Sequence, residues 1–363
     1  MTVSDPIVRP ASGWVLYCRP GFERDCAQEA YQRALTQGAD LHIAEAQENS
    51  GYVRLSGQAR PPHWGSLVFA RQVLSLVAMI DPLPDRDRLT PILDALPAHP
   101  AVFSDVWLEM PDTNDGKELS AFTRRFAPLL TDALVERRRL GGRDELPRLH
   151  VFFPDKRRAW LAVADPTQSA PWPMGILRLR MPPDAPSRSA LKLAEAFDMF
   201  LSAEDQQRYL HDGLRAVDLG AAPGGWTWQL LRRGLRVMAV DNGPLKGIVA
   251  EHPWVNHLRT DGFRFRPDRP VDWVVCDMVE KPSRVATLMA NWLVGEHARH
   301  AMFNLKLPMK KRLEALESAL NDIESIMQAN GVRYRLSVKQ LYHDREEVTV
   351  YLGREANPRR TRR

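Results

Sequence analysis

Cysteine is scarce in this sequence: Cys18, Cys26 and Cys276 are the only three in 363 residues. Three scattered thiols build neither a disulfide framework nor a zinc site, so a reducing cytoplasm and no bound metal are expected. Long apolar runs are missing as well. No stretch approaches the roughly 20 residues that cross a bilayer, and Met1 to Ser12 has neither the cationic end nor the apolar segment of an export signal, so no membrane association is expected. Internal repeats and low-complexity tracts are absent. Neither sign of charge dominates, since 50 Lys and Arg face 45 Asp and Glu for a net +5; this is compatible with a polyanionic partner without demanding one.

What is present is organised. Basic residues cluster at Arg124-Arg125, Arg137-Arg138-Arg139, Lys156-Arg157-Arg158, Lys310-Lys311-Arg312 and Arg359 to Arg363. Five such clusters point to phosphate contacts that are salt-sensitive and blind to sequence. The first stretch alternates short strands and helices: Trp14 to Cys18, a helix from about Glu23 to Thr36, then Leu41 to Ala46 and Tyr52 to Leu55. That outline is ferredoxin-like. A helix is expected over Gly65 to Val77. A second α/β unit follows, with a strand from Val102 to Met110, a basic helix from Lys117 to Arg138 and a hairpin from Leu149 to Val163. Six prolines between Asp165 and Pro186 mark the main boundary, with a short strand expected at Met174 to Met181.

Beyond Ser189 the alternation becomes regular. A helix is expected from Ser189 to Leu210, then strands near 215–220, 236–240, 256–260, 272–277, 301–307, 334–342 and 347–352. Strands separated by helices imply a parallel sheet covered on both faces, while the short turn His343-Asp344-Arg345 implies a terminal antiparallel pair. The fold class is therefore α/β, with a seven-stranded Rossmann-like sheet whose last strand is reversed. The boundaries expected are 1–78 and 79–168 for two N-terminal α+β domains, 169–186 for a linker, 187–355 for the Rossmann-like domain and 356–363 for a basic tail.

The decapeptide 217–226, Val-Asp-Leu-Gly-Ala-Ala-Pro-Gly-Gly-Trp, is a buried strand running into a glycine turn and a helix. Bare backbone at such a turn lets a ligand approach, and the new helix offers unpaired N–H groups. Asp241 closes the following strand about twenty residues after Gly220, where a carboxylate meets ribose hydroxyls in doubly wound folds. A dinucleotide fingerprint would place its second glycine where Ala222 stands. The pattern Asp-x-Gly-x-x-Pro-Gly-Gly instead resembles the first motif of S-adenosylmethionine-dependent methyltransferases, in particular those that methylate ribose 2′-hydroxyls of RNA. That resemblance implies S-adenosylmethionine as cofactor, with Gly220, Ala222, Pro223, Gly224, Gly225 and Trp226 around the methionine part, Asp241 on the ribose and Asp261 on the adenine, Asp277 near the sulfonium, and Ser189 as a further contact.

Methylating a ribose hydroxyl requires alignment with the sulfonium and removal of a proton from a very weak acid. A lysine can take it only when neutral, which a nearby positive charge or partial desolvation favours. The ribose methyltransferases that the motif resembles use a Lys-Asp-Lys-Glu tetrad, and its matches are Lys192, Asp277, Lys306 and Glu347. The resemblance implies Lys306 as general base, Asp277 as its orienter, and Lys192 and Glu347 as groups that position the ribose. Glu346 competes with Glu347, because alternation along a strand sends the two to opposite faces; Glu347 is preferred. Other methyl-transfer chemistries fit poorly. The Asn/Asp-Pro-Pro-aromatic loop of base-amine enzymes is replaced by Asp277-Met-Val-Glu-Lys-Pro, and Cys276, inside an apolar strand, is expected to be an inert thiol rather than a nucleophile.

Leu-Tyr-Cys-Arg-Pro-Gly-Phe-Glu at 16–23, Ser-Arg-Ser-Ala-Leu-Lys-Leu at 187–193, the 217–226 motif, Cys-Asp-Met-Val-Glu-Lys-Pro at 276–282 and Phe-Asn-Leu-Lys-Leu-Pro-Met-Lys-Lys-Arg at 303–312 together resemble the RlmM family of bacterial large-subunit ribosomal RNA 2′-O-ribose methyltransferases. The resemblance spans nearly the whole chain apart from the arginine tail. It implies a ferredoxin-like N-terminal domain, a THUMP-like RNA-binding domain and a catalytic domain. The target it implies is a cytidine of the peptidyl-transferase region, in naked or precursor ribosomal RNA, with no obligate protein partner. Three alternatives stay open: a ribose methyltransferase of another RNA such as tRNA, a non-catalytic RNA-binding protein, and a nicotinamide-dependent oxidoreductase.

Overall fold

The computed structural model describes residues 8–10 and 12–355; the arginine-rich tail at 356–363 lies outside the described residues. The chain divides into two units between Ile176 and Leu177, inside the proline-rich stretch.

The first unit contains strands β1 (Val8–Pro10), β2 (Gly13–Cys18), β3 (Leu41–Glu45), β4 (Tyr52–Gly57), β5 (Ala70–Ile80), β6 (Val106–Glu109), β7 (Arg148–Asp155) and β8 (Arg158–Ala164). Helices α1 (Glu23–Thr36), α2 (Leu89–Asp94), α3 (Asn114–Glu118) and α4 (Ser120–Glu136) interrupt them. All eight strands join one sheet in the order β3-β4-β2-β5-β8-β7-β6, with β1 beside β5. Strand β5 pairs with β2 on one side and β8 on the other, so the segments 1–78 and 79–168 share a continuous sheet.

Several expectations for this unit are corrected. The segment 65–77 is not a helix but a short 3₁₀ turn at Trp64–Ser66 followed by β5. From Leu74 onward buried and half-buried side chains alternate one by one. That is the period of a strand, and Val73, Val77 and Ile80 are β-branched residues that favour it. The strand expected from Val102 to Met110 is limited to β6. The basic helix begins earlier and is broken at Leu119, because the Thr113 hydroxyl caps a separate first turn at the Gly116 N–H. Met174 to Met181 forms no strand: the Met174 N–H donates to Glu109 Oε1 at 2.6 Å, and a 3₁₀ turn at Pro173–Gly175 precedes irregular chain.

The second unit holds helices α5 (Ser189–Phe200), α6 (Ala203–Tyr209), α7 (Gly225–Leu231), α8 (Pro282–Val294) and α9 (Arg312–Ala329). Its strands are β9 (Arg215–Leu219), β10 (Arg236–Val240), β11 (Val255–Leu258), β12 (Val271–Cys276), β13 (Ala298–Lys306), β14 (Tyr334–Lys339) and β15 (Glu347–Arg354). They order as β11-β10-β9-β12-β13-β15-β14, the first five parallel and β15 antiparallel to both of its neighbours. This is the α/β sheet with reversed last strand, and that strand inserts between β13 and β14. The single helix expected from Ser189 to Leu210 is two: Leu201 is extended, and Ser202 and Asp205 form a reciprocal capping box that starts α6.

The strand order reverses direction at β9, whose two neighbours continue the chain to opposite sides, and such a point opens a crevice beyond the strands' carboxyl ends. Beneath it Phe197, Trp226, Leu230, Trp273, Met302 and Tyr351 form a core that joins α5 and α7 to the sheet. A buried acid adds a polar tie. Glu195 on α5 accepts from the Tyr342 and His343 N–H groups at 2.8 and 3.0 Å and meets His343 Nδ1 at 2.6 Å, which fixes α5 to the β14–β15 connection. Glu195→Ala orphans both amides, so urea unfolding of this unit is expected to show a loss of roughly 2–4 kcal/mol, at about 1–3 kcal/mol per buried unsatisfied group. A loss below about 0.5 kcal/mol would show that the tie contributes nothing.

Candidate active site

Three strand ends and one helix bring the tetrad together. Lys192 sits on the first turns of α5, Asp277 follows the last residue of β12, Lys306 ends β13 and Glu347 opens β15. Lys306 and Glu347 are direct cross-strand partners in the β13–β15 register. Lys306 Nζ donates to Asp277 Oδ1 and lies 3.8 Å from Glu347 Oε1; Lys192 Nζ pairs with Glu347 Oε1 and lies 3.4 Å from Asp277 Oδ2. Each carboxylate thus touches both ammonium groups. The side chains are between 8% and 22% exposed, open enough at one edge for a ligand to reach them. For Lys192, burial alone would lower the pKa, but Asp277 and Glu347 outweigh it and raise it, so this amine is held charged.

Glu346 takes another course. Its carboxylate reaches out to Arg312 at 2.9 Å, away from the cluster. Cys276 is fully buried, and burial pushes its thiol up to about 12, which leaves it un-ionised and inert.

A second row of groups supports the first, and sequence reasoning missed it. Asn304 lies two residues before Lys306 on the same face of β13 and donates from Nδ2 to Asp277 Oδ1 at 2.9 Å. Its own oxygen accepts from the Thr349 hydroxyl at 2.8 Å, and Thr349 meets the buried Asp344 carboxyl at 3.0 and 3.1 Å. Burial, reinforced by Glu347 and Glu195, raises the Asp344 pKa well above the usual range, so its neutral carboxyl can donate to Thr349. The chain Asp344, Thr349, Asn304, Asp277 fixes which lone pairs of Asp277 remain for the lysines. A polar residue every second position in an otherwise apolar strand is the signal that could have found Asn304 and Thr349.

Beside the tetrad, β9 leads into the glycine turn. Gly220 has φ +78° and Gly224 φ +113°, backbone that L side chains rarely adopt. A Cβ on Gly225 would lie 2.3 Å from Ser189 Oγ and 2.5 Å from Ser187 Oγ, so the start of α7 packs bare against the start of α5. Asp241 braces the turn from the next strand: Oδ2 accepts from the Ala222 N–H at 3.0 Å and Oδ1 from the Gly243 N–H at 2.7 Å. Pro223 accepts through its carbonyl from the Lys246 N–H at 3.0 Å. Asp261 follows β11, is exposed, and accepts from the Phe263 N–H at 2.9 Å. Trp226 is corrected in part, because its ring is buried in the core among Phe197, Leu230 and Trp273, leaving only its backbone to border the turn. Met278 was not foreseen; its side chain lies against both Gly220 and Gly262 and walls the crevice between β9 and β11.

The donor set suits a cationic adenosine derivative. Asp261, Asp241, Asp218 and Asp277 stand at or near the carboxyl ends of β11, β10, β9 and β12, four neighbouring strands, and together give the crevice a row of acids for a sulfonium, an ammonium and ribose hydroxyls. Asp218 is buried; its Oδ2 accepts from the Thr227 hydroxyl at 2.7 Å while Oδ1 has no partner. Burial, with Asp277 and Asp241 adding to it, pushes this carboxyl up to about 7.

Not every basic cluster is free for phosphate. Arg139 donates to the carbonyls of Pro97 and Pro100, and Arg158 is held by Asp155, Glu45 and the Tyr52 hydroxyl, so both serve the fold. Arg124, Arg138 and Arg157 are exposed and make no ion pair among the described residues.

Comparison with known proteins gives concordant matches. Three family models fit the chain: RlmM ferredoxin-like domain on residues 11–74, ribosomal RNA large subunit methyltransferase M, N-terminal, on 87–165, and FtsJ-like methyltransferase on 185–312. The ribosomal RNA large subunit methyltransferase M of Laribacter hongkongensis is 58% identical over 352 residues, covering 96% of this chain and 99% of that protein. The proteins of the same name from Azoarcus sp. and Methylococcus capsulatus are 50% and 49% identical, each covering 94% of this chain and 96% and 98% of their own.

Two measurements test the site. Gly225→Ala forces the α7 start away from Ser187 and Ser189, and calorimetry is expected to show S-adenosylmethionine affinity weakened at least tenfold; unchanged affinity would remove the turn from the binding site. Asp218 has a folded-state pKa raised above the unfolded value, so its contribution to stability is full below about pH 4 and is lost as pH rises through about 7. Asp218→Asn keeps an acceptor for Thr227 but cannot ionise. In ligand-free protein, its melting temperature is expected to gain on that of the parent between about pH 5 and pH 8, and a pH-independent gap would refute the shift.

Proposed function

The chain belongs to the ribosomal RNA large subunit methyltransferase M family, and from that premise we propose that it methylates the ribose 2′-hydroxyl of a cytidine in the peptidyl-transferase region of large-subunit ribosomal RNA, with Lys306 as general base. It is an RNA methyltransferase with an FtsJ-like catalytic domain, and its cofactor is S-adenosylmethionine. The single observation that carries the ribose reading is the convergence of Lys192, Asp277, Lys306 and Glu347 beside the glycine turn.

Bound in the crevice, S-adenosylmethionine supplies an electrophilic methyl group on a sulfonium. Gly220, Ala222, Pro223, Gly224 and Gly225 would hold its methionine part, the Trp226 backbone and Ser189 would border it, Asp241 would take the ribose and Asp261 the adenine. Lys306 then works on the RNA. Its amine would accept the 2′-hydroxyl proton, and Asp277 aims it; the cofactor would supply the methyl group, its carbon–sulfur bond breaking so that a neutral thioether leaves. A cation bound next to Lys306 favours the neutral amine that this step needs. Lys192 is the poorer base, because it is held charged between two carboxylates; with Glu347 it positions the ribose. Asn304 keeps Asp277 from rotating away.

RNA is presented by surfaces that carry unpaired cations. In the first unit these include Arg124, Arg138 and Arg157, and we assign segment 79–168 a THUMP-like role in gripping the backbone, a contact that carries charge but no sequence. Ribosomal RNA, naked or in precursor form, is the partner proposed, and the cytoplasm is its place.

The test uses labelled S-adenosylmethionine and large-subunit RNA from a strain lacking the protein, with alkali-resistant linkages mapped afterwards. Wild-type protein is expected to create one such linkage. Lys306→Ala and Lys306→Arg are both expected to lose about 10²–10⁴-fold in kcat while keeping cofactor affinity, since a guanidinium restores charge but does not accept a proton. Activity of Lys306→Arg within tenfold of wild type would reassign the base, and label on a nucleobase would overturn the ribose reading.

A further inference from the structure

Among the described residues, Val279 and Met309 are by far the most exposed large apolar side chains, at 89% and 88%, whereas the next, Leu129, is at 59%. Their positions are related. Val279 lies two residues beyond Asp277, on the connection from β12 to α8, and Met309 three residues beyond Lys306, on the connection from β13 to α9. Strands β12 and β13 are paired neighbours, about 5 Å apart. Along the chain Val279 stands at most about 7 Å from Asp277 and Met309 at most about 10 Å from Lys306. Each is followed shortly by an exposed lysine, Lys281 or Lys310, that makes no ion pair among the described residues. Two neighbouring tips at the rim of one crevice therefore repeat a single composition: a bare apolar side chain, then an uncommitted cation.

Exposed apolar groups of this kind mark a surface that something covers. The chemistry of the site says what. A ribose whose 2′-oxygen faces Lys306 carries its base on the adjacent carbon, so the base must lie within one sugar's width of the reacting pair, and the neighbouring phosphates lie just outside it. A nucleotide stacked in a helix cannot enter so far; it must be splayed out, with its base faces exposed to water unless the protein covers them.

We propose that Val279 and Met309 grip the base of the target nucleotide, holding it out of its stack, while Lys281 and Lys310 meet the phosphates on either side. The contact is with the base's faces, so it stabilises the splayed geometry without selecting among bases. This rests on the ribose-methylation reading above and adds to it two substrate-contacting residues outside the tetrad.

The experiment compares wild type, the double variant Val279→Ser/Met309→Ser and the conservative double variant Val279→Ile/Met309→Leu on the same large-subunit RNA. A second arm uses a short RNA with a fluorescent base analogue at the position that the wild type methylates. Loss of the apolar contact is expected to lower kcat/KM for RNA about ten- to hundredfold in the serine variant, mostly through KM, with cofactor affinity unchanged and most activity kept by the conservative variant. The fluorescence change of an unstacked base, seen on wild-type binding, is expected to vanish with the serine variant. A serine variant whose kcat/KM stays within twofold of wild type and whose fluorescence response is intact overturns the inference and leaves the ribose reading standing. Wild-type protein that makes no alkali-resistant linkage overturns the reading itself.

Discussion

Asp277 is the group on which the catalytic unit depends. Its two oxygens serve three donors: Lys306 and Asn304 on one, Lys192 on the other. A carboxylate taken largely out of water costs several kcal/mol unless it is paired and hydrogen-bonded, and here both conditions are met from two separate elements, β13 and α5. Removing either lysine or either carboxylate leaves the remaining charges unbalanced, so Glu347 and Lys192 matter to the geometry as much as the pair at the strand ends. Two ammonium groups and two carboxylates leave the arrangement without net charge of its own.

Support for this cluster is layered by the sheet. The β13–β15 register puts Lys306 opposite Glu347 and Asn304 opposite Thr349, so one pair of strands supplies both a row of the charged cluster and the row beneath it. Asp344 reaches into the same row from the β14–β15 connection, and Glu195 ties that connection to the helix that carries Lys192. Lys192 is therefore positioned from two directions. The glycine turn depends on the same helix, because Gly225 can approach Ser187 and Ser189 only without a side chain.

In the first unit the constraint is continuity of the sheet. Strand β5 has partners on both edges, and its inner face is buried along its whole length. Much of the unit's cationic surface belongs to this framework: Arg158 stacks near Trp160 and ties three acceptors, and Arg71 is buried against Asp112. Counting basic residues along the chain overstates what is available to a polyanion, since burial and pairing remove some of them.

Much of the catalytic unit was legible in the sequence. Short apolar runs separated by helices announce parallel strands, and glycine at 220 and 224–225 announces a turn that side chains cannot make. The last-strand reversal followed from a three-residue turn too short for a crossover helix. Where the reading failed, the signal was ambiguous: 65–77 is apolar enough for either periodicity, and Ser202 splits a helix through a local cap that helical spacing does not register. The choice of Glu347 over Glu346 followed from alternation only once one residue was assumed to face inward.

From the sequence alone came the class of fold, the glycine turn, the family resemblance and the names of four charged residues, because these depend on local pattern and motif. Tertiary structure alone decided that those four meet, that Asn304 and Thr349 stand beneath them, that Trp226 turns into the core, and that Val279 and Met309 stand bare at the rim. The reason is physical: contact between residues as far apart as Lys192 and Glu347 is set by strand order and register, and neither quantity is written in the spacing of residues along a chain.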